Sequence, residues 1–136
     1  MKFPYVKVPT ADPRRKWIAR SIIPIKIFGP KGSDTIDALI DSGADRSLFN
    51  TEIASEIGLD LEKCPIEKFS GIEAGILLAR IYKVKVQVLG MDEKIEIPIG
   101  FTESKGVIAI LGQEGFFDAY RVKFERDRGI VEITPS

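Results

Sequence analysis

Along this chain, apolar and polar residues alternate in short runs punctuated by turn-forming residues, the texture of β-strands with one buried face. Residues 21–28 (SIIPIKIF) read as a strand, with Pro24 pointing to a sheet edge or a bulge. The turn cluster 29–34 (GPKGSD) leads into a second strand, residues 35–40, which runs directly into Asp41-Ser42-Gly43. Residues 50–57 fit a short helix: Asn50 is the N-cap, Ile53, Ala54 and Ile57 share a face, and Gly58 ends it. A long hairpin follows, with arms at 66–69 and 76–88 and residues 70–75 at its tip. Its second arm carries the alternating run IYKVKVQV. Residues 89–92 turn the chain into a strand at 94–101. The continuous apolar run VIAIL at 107–111 has the pattern of a strand buried on both faces and stops at Gly112. A short helix is expected around 113–120, and 122–125 and 129–134 pair across Arg126-Asp127-Arg128. No pattern places the first fifteen or so residues, which prolines and charges interrupt. The expectation is an all-β, barrel-like domain with one or two short helices. Residues 1–20 would form an extension, either a strand or a dimer contact, ahead of a domain at 21–136.

At 136 residues the chain makes one domain with a real core. Its 20 basic and 20 acidic residues balance, so no nucleic-acid partner and no anionic membrane surface is expected. Arg14-Arg15-Lys16 reads as a solvated loop. The N-terminal stretch has no apolar run and so resembles neither a secretory leader nor a membrane span. The single Cys64 cannot form an internal disulfide, which fits a reducing, cytoplasmic setting. The chain contains no histidine, which removes Ser-His-Asp and Cys-His catalysis and His-ligated zinc. Catalysis within it must rest on carboxylates, Lys, Tyr, Ser or the backbone, and no cofactor or metal is expected.

Among the carboxylates, Asp41 stands out. It follows a hydrophobic strand, where ionisation is costly unless the charge is paired or solvated, and it precedes a glycine that lets a ligand approach the backbone. Asp-Ser-Gly alone is a common turn sequence. Its context is not: Ala38-Leu39-Ile40 precede it, Ala44-Asp45 follow it, and Ile110-Leu111-Gly112 end an apolar run far downstream. ALIDSGADRSLFN resembles the catalytic loop of retroviral-type (retropepsin-like) aspartic proteases, and AILG at 109–112 resembles their second signature. Residues 70–75 fall where that family carries its flap. The three motifs keep the family's order over roughly residues 20–134, and the closing stretch from Ile110 to Ile133 is similar to cellular bacterial and archaeal members.

The resemblance implies a single-domain acid-protease barrel and an aspartic endopeptidase. Two carboxyls would share a proton around a water, one acting as base and the other as acid. Only one Asp-Ser-Gly occurs, so Asp41 supplies half of the dyad and a two-fold homodimer the rest, with a peptide or protein as substrate. By the same resemblance Ser42 would cross-link the two catalytic loops, with Gly43 supporting them. Ala44 and Asp45 would bond an extended substrate backbone, and Ser70, Gly71, Ile72 and Gly75 would close over it. Ile72, Ile76 and Ile108 are candidates for side-chain pockets or for plain core; Ile110, Leu111 and Gly112 form the second signature. Gln113 departs from the family, whose Arg at that place pairs with the residue matching Asp45. Arg46, Arg121 or Arg126 is the candidate replacement. Two other readings stay open: a dimeric peptide-binding or dimerisation module of the same fold with little or no turnover, and an unrelated β-barrel binding domain. Ser42 as nucleophile with Lys26 or Lys31 as base has no spacing to support it.

Overall fold

The alternating runs close into a barrel. The computed structural model describes residues 1–71 and 75–136. In chain order its strands are β1 (Lys2–Pro4), β2 (Val6–Pro9), β3 (Trp17–Arg20), β4 (Ile22–Gly29), β5 (Gly32–Ile40) and β6 (Ser47–Asn50). Helix α1 (Thr51–Ile57) precedes β7 (Ile66–Gly71), β8 (Gly75–Val88), β9 (Ile95–Thr102) and β10 (Ala109–Leu111). Helix α2 (Phe116–Ala119), β11 (Tyr120–Glu125), a 3-10 turn (Arg126–Arg128) and β12 (Ile130–Pro135) complete the chain.

The strand order β4-β5-β10-β6-β9-β8 is closed by pairing of β8 back onto β4, which leaves no edge among these six strands. The inward faces repeat every second residue, as the pleat requires: Ile23, Ile25 and Ile27 on β4, Val84, Val86 and Val88 on β8, and Ile97, Ile99 and Phe101 on β9 are all buried. Phe49 meets Phe101 edge-on, with ring centroids 6.2 Å apart, at the centre of this core. Pro24 lies inside a strand paired on both sides, and not on an edge strand. It is tolerated because pairing with β8 begins only at the next residue, Ile25 opposite Val88.

Helix α1 runs where its caps place it. The Asn50 side chain accepts a hydrogen bond from Glu52 N at 3.0 Å, and Gly58 closes the helix at φ 79°. The Asn50 amide also donates to the carbonyls of Ser104 and Val107, tying the helix entry to the loop that leads into β10. Asn50→Ala should therefore lower stability by about 1–2 kcal/mol. In a urea titration this appears as a lower midpoint with an unchanged slope; an unmoved midpoint would show that neither set of bonds matters.

Two expectations need correction. The run 107–111 is not a strand buried on both faces: β10 is only three residues long, and Ile108 is 71% exposed. The expected helix at 113–120 shrinks to four residues, because Gly115 at φ 91° starts it late and Tyr120 already pairs in β11. The N-terminus, which no pattern placed, is built into the fold. β1 pairs antiparallel with β12, β2 with β3, and the Met1 ammonium donates to Ile133 O at 2.8 Å. Arg14-Arg15-Lys16 is exposed in the loop between β2 and β3, as expected of a solvated stretch. Among the described residues no helix is long and apolar enough to cross a membrane.

Candidate active site

The position of Asp41 follows from one feature of the topology. The chain leaves β5 at Ile40 and returns as β6 at Ser47 after a six-residue loop, yet these two strands are not neighbours. β10 lies between them, parallel to β5 (Leu111 beside Ile40) and antiparallel to β6 (Ala109 beside Phe49). The loop 41–46 must therefore arch over the C-terminal end of β10, so that Asp41 and Gly112 meet although they are far apart in sequence.

Hydrogen bonds lock that crossing. Asp41 N donates to Leu111 O at 2.9 Å, Gln113 N to Ala44 O at 2.8 Å, and Glu114 N to Asp45 O at 2.8 Å. Gly112 N is buried and donates to the hydroxyl of Ser47, itself fully buried, at 3.0 Å. A Cβ on Gly112 would lie 2.6 Å from Arg46 O and 2.7 Å from Ala44 O, so only glycine fits beneath the arch.

The carboxylate is aimed by its own loop. Gly43 N donates to Asp41 Oδ1 at 2.9 Å, and Ala44 N donates to Asp41 O at 3.2 Å. Asp41 is half-buried, with Ser42 and Gly43 exposed beside it. An acid on such a loop is reachable by a ligand and held in one orientation, as acid–base chemistry requires. Ala44 has its N–H and its carbonyl engaged within the chain, as has the Asp45 carbonyl. The exposed Asp45 side chain is the part of this pair left facing outward.

Gln113, the departure from the family pattern, has a clear use: its Nε2 donates to Ser42 O at 2.7 Å and ties down the loop directly. Arg46 is not the partner of Asp45. It pairs with Glu67 and Glu114, each at 3.2 Å, with its own side chain largely buried. Because Glu67 lies on β7, this bridge fastens the Asp41 loop to the base of the hairpin. Sequence reasoning missed Glu67, Glu114 and Ser47. Only the inward alternation of Ser47 with Phe49 signals any of them.

The hairpin has two unlike faces. Glu67, opposite Ala79 in the pairing, reaches the Asp41 loop through the Arg46 bridge. Ser70, Ile76 and Leu78 lie on the other face; Ile76 and Leu78, with Leu77, Ala79, Ile66, α1 and residues 59–62, line a cavity of about 700 Å³ that includes neither Ser70 nor Asp41. Gly71 and Gly75 pair across the arms, and the expected flap residue Ile72 lies outside the described residues. Ile108, 71% exposed, precedes β10 on the same chain segment that ends at Gly112, and Ile110 is half-buried between β5 and β6 while Leu111 is buried. Among the described residues, no group of acidic or thiol side chains is placed to hold a metal ion. Neither a known family model nor a curated protein matches this sequence.

Proposed function

We propose that the chain is an aspartic endopeptidase of the retropepsin-like kind, active as a homodimer in which each copy contributes Asp41. The observation that carries this reading is the arch of residues 41–46 over Gly112, which presents one oriented, accessible carboxylate on a loop tied down by backbone hydrogen bonds. A single such acid is half of a hydrolytic pair. A two-fold axis beside Asp41 supplies the second, and two carboxyls at hydrogen-bond distance cannot both ionise, so they hold one proton between them.

The chemistry then needs nothing beyond the pair and a water. The ionised carboxylate takes a proton from the water as its oxygen attacks the scissile carbonyl carbon, and the protonated carboxyl gives its proton to the carbonyl oxygen. The first carboxyl then gives its newly gained proton to the peptide nitrogen, and a hydroxyl of the tetrahedral diol returns a proton to the second carboxylate. The C–N bond breaks and releases the amine and the carboxylic acid. The open surface beside Asp41 in one copy fits this scheme, since the other wall of the cleft is the second copy. Ile108, apolar and exposed, is a candidate to meet substrate side chains there.

The test is cleavage of a peptide library from about pH 4 to 7, read by mass spectrometry, with sedimentation recorded on the same preparation. Cleavage by a dimer is the expected result. A strict monomer would overturn the shared-site scheme, and a dimer without cleavage would make the chain a peptide-binding module.

A further inference from the structure

The loop between β2 and β3 and the 3-10 turn after β11 bring four cations together. Arg14, Arg15, Lys16 and Arg126 line a cavity of about 630 Å³ with Trp17, and no carboxylate is among its lining residues. None of the four is within ion-pair distance of an acid among the described residues. The neighbouring Arg128 differs, being held at 3.2 Å by Glu125. Burial alone would raise the Glu125 carboxyl, but Lys123 and Arg128 hold it below its ordinary value. Asp12, the acid nearest in sequence, spends its Oδ1 on the backbone N–H of Arg14 at 2.9 Å. Trp17 is 50% exposed, with the Lys7 ammonium 4.2 Å from its ring centroid. An exposed indole beside unpaired guanidinium groups is an arrangement that recognises carboxylates with apolar neighbours.

This cavity adjoins the candidate active site through shared lining residues. Ala19 and Arg126 also line a smaller cavity, of about 230 Å³, which contains Arg20 and Asp41. We propose that the Arg14–Trp17 loop and Arg126 form a docking site for an acidic segment of the polypeptide substrate, outside the residues being cut. Nucleic acid fits less well: the chain carries no excess positive charge, and the cations sit on one loop and one turn, not along a groove. The assignment rests on the endopeptidase reading only in calling the bound segment part of a substrate.

The test uses the full chain and a fluorescein-labelled twelve-residue peptide rich in Glu and Asp, with a twin in which every acid is Gln or Asn. Fluorescence anisotropy should show tighter binding of the acidic peptide, weakening as salt rises. The preference should fall by about tenfold in an R14A/R15A/K16A protein. R126Q, on a separate element, should reduce it independently, with circular dichroism showing both variants folded. Equal binding of the twins, or a preference that survives both variants, overturns the proposal. So does tighter binding of a single-stranded oligonucleotide of equal charge that the same substitutions abolish. An intact acidic preference with no peptide cleaved at any pH leaves the docking site standing and removes the endopeptidase reading alone.

Discussion

Asp41→Asn protein is expected to hydrolyse peptides about 10²–10⁴-fold more slowly than the native chain while sedimenting as the same species. The amide keeps the shape of the side chain, and its oxygen can still accept the bond from Gly43 N, so the loop should hold. What it loses is the capacity to take a proton from water. Mixing sharpens the result. If the site needs one Asp41 from each copy, a fully exchanged equal mixture of native and variant chains retains about a quarter of the native activity, and a site complete within one chain retains about half. Undiminished cleavage by the variant would place the chemistry elsewhere.

The second large effect is expected at Gly112. An alanine there would push its methyl group to 2.6 Å from Arg46 O and 2.7 Å from Ala44 O, both main-chain atoms that cannot rotate away. The arch must lift, stretching the bonds from Gln113 N to Ala44 O and from Gly112 N to the Ser47 hydroxyl. Gly112→Ala should cost about 1–3 kcal/mol, seen as a lower denaturation midpoint, and should remove cleavage even at temperatures where the protein stays folded. Gly106→Ala is the control. Its Cβ would find only the Ser104 hydroxyl, 3.9 Å away, so stability and cleavage should barely change. If both glycines tolerate alanine equally, the close approach at Gly112 has no functional weight.

The barrel strands were legible where the period of two is long and uninterrupted, as in 81–88, and α1 was legible because both caps are local signals. The N-terminal strands were hidden because Pro4, Pro9 and Pro13 break the pattern, and short ribbons take their stability from a partner, β12 for β1, that lies at the other end of the chain. Residue type misled at Ile108, since an aliphatic run reports hydrophobicity and not the direction each side chain faces. At the site, the local signal Asp-Ser-Gly marked a turn, and its meeting with Gly112 came from resemblance. The Arg46 bridge to Glu67 and Glu114 and the Gln113 bond to Ser42 O join residues far apart in sequence, and no local pattern encodes them.

The insertion of β10 between β5 and β6 also bears on the order in which the molecule assembles. The residues joined by the Gln113–Ser42 bond are separated by 71 positions, and the parallel pairings of β10 with β5 and β6 with β9 are likewise non-local. Such contacts form late because the intervening chain must first be brought round. On a ribosome, Asp41 emerges well before the strand that shapes its loop. A growing chain therefore carries the acid without its geometry until β10 and Gly112 have been made.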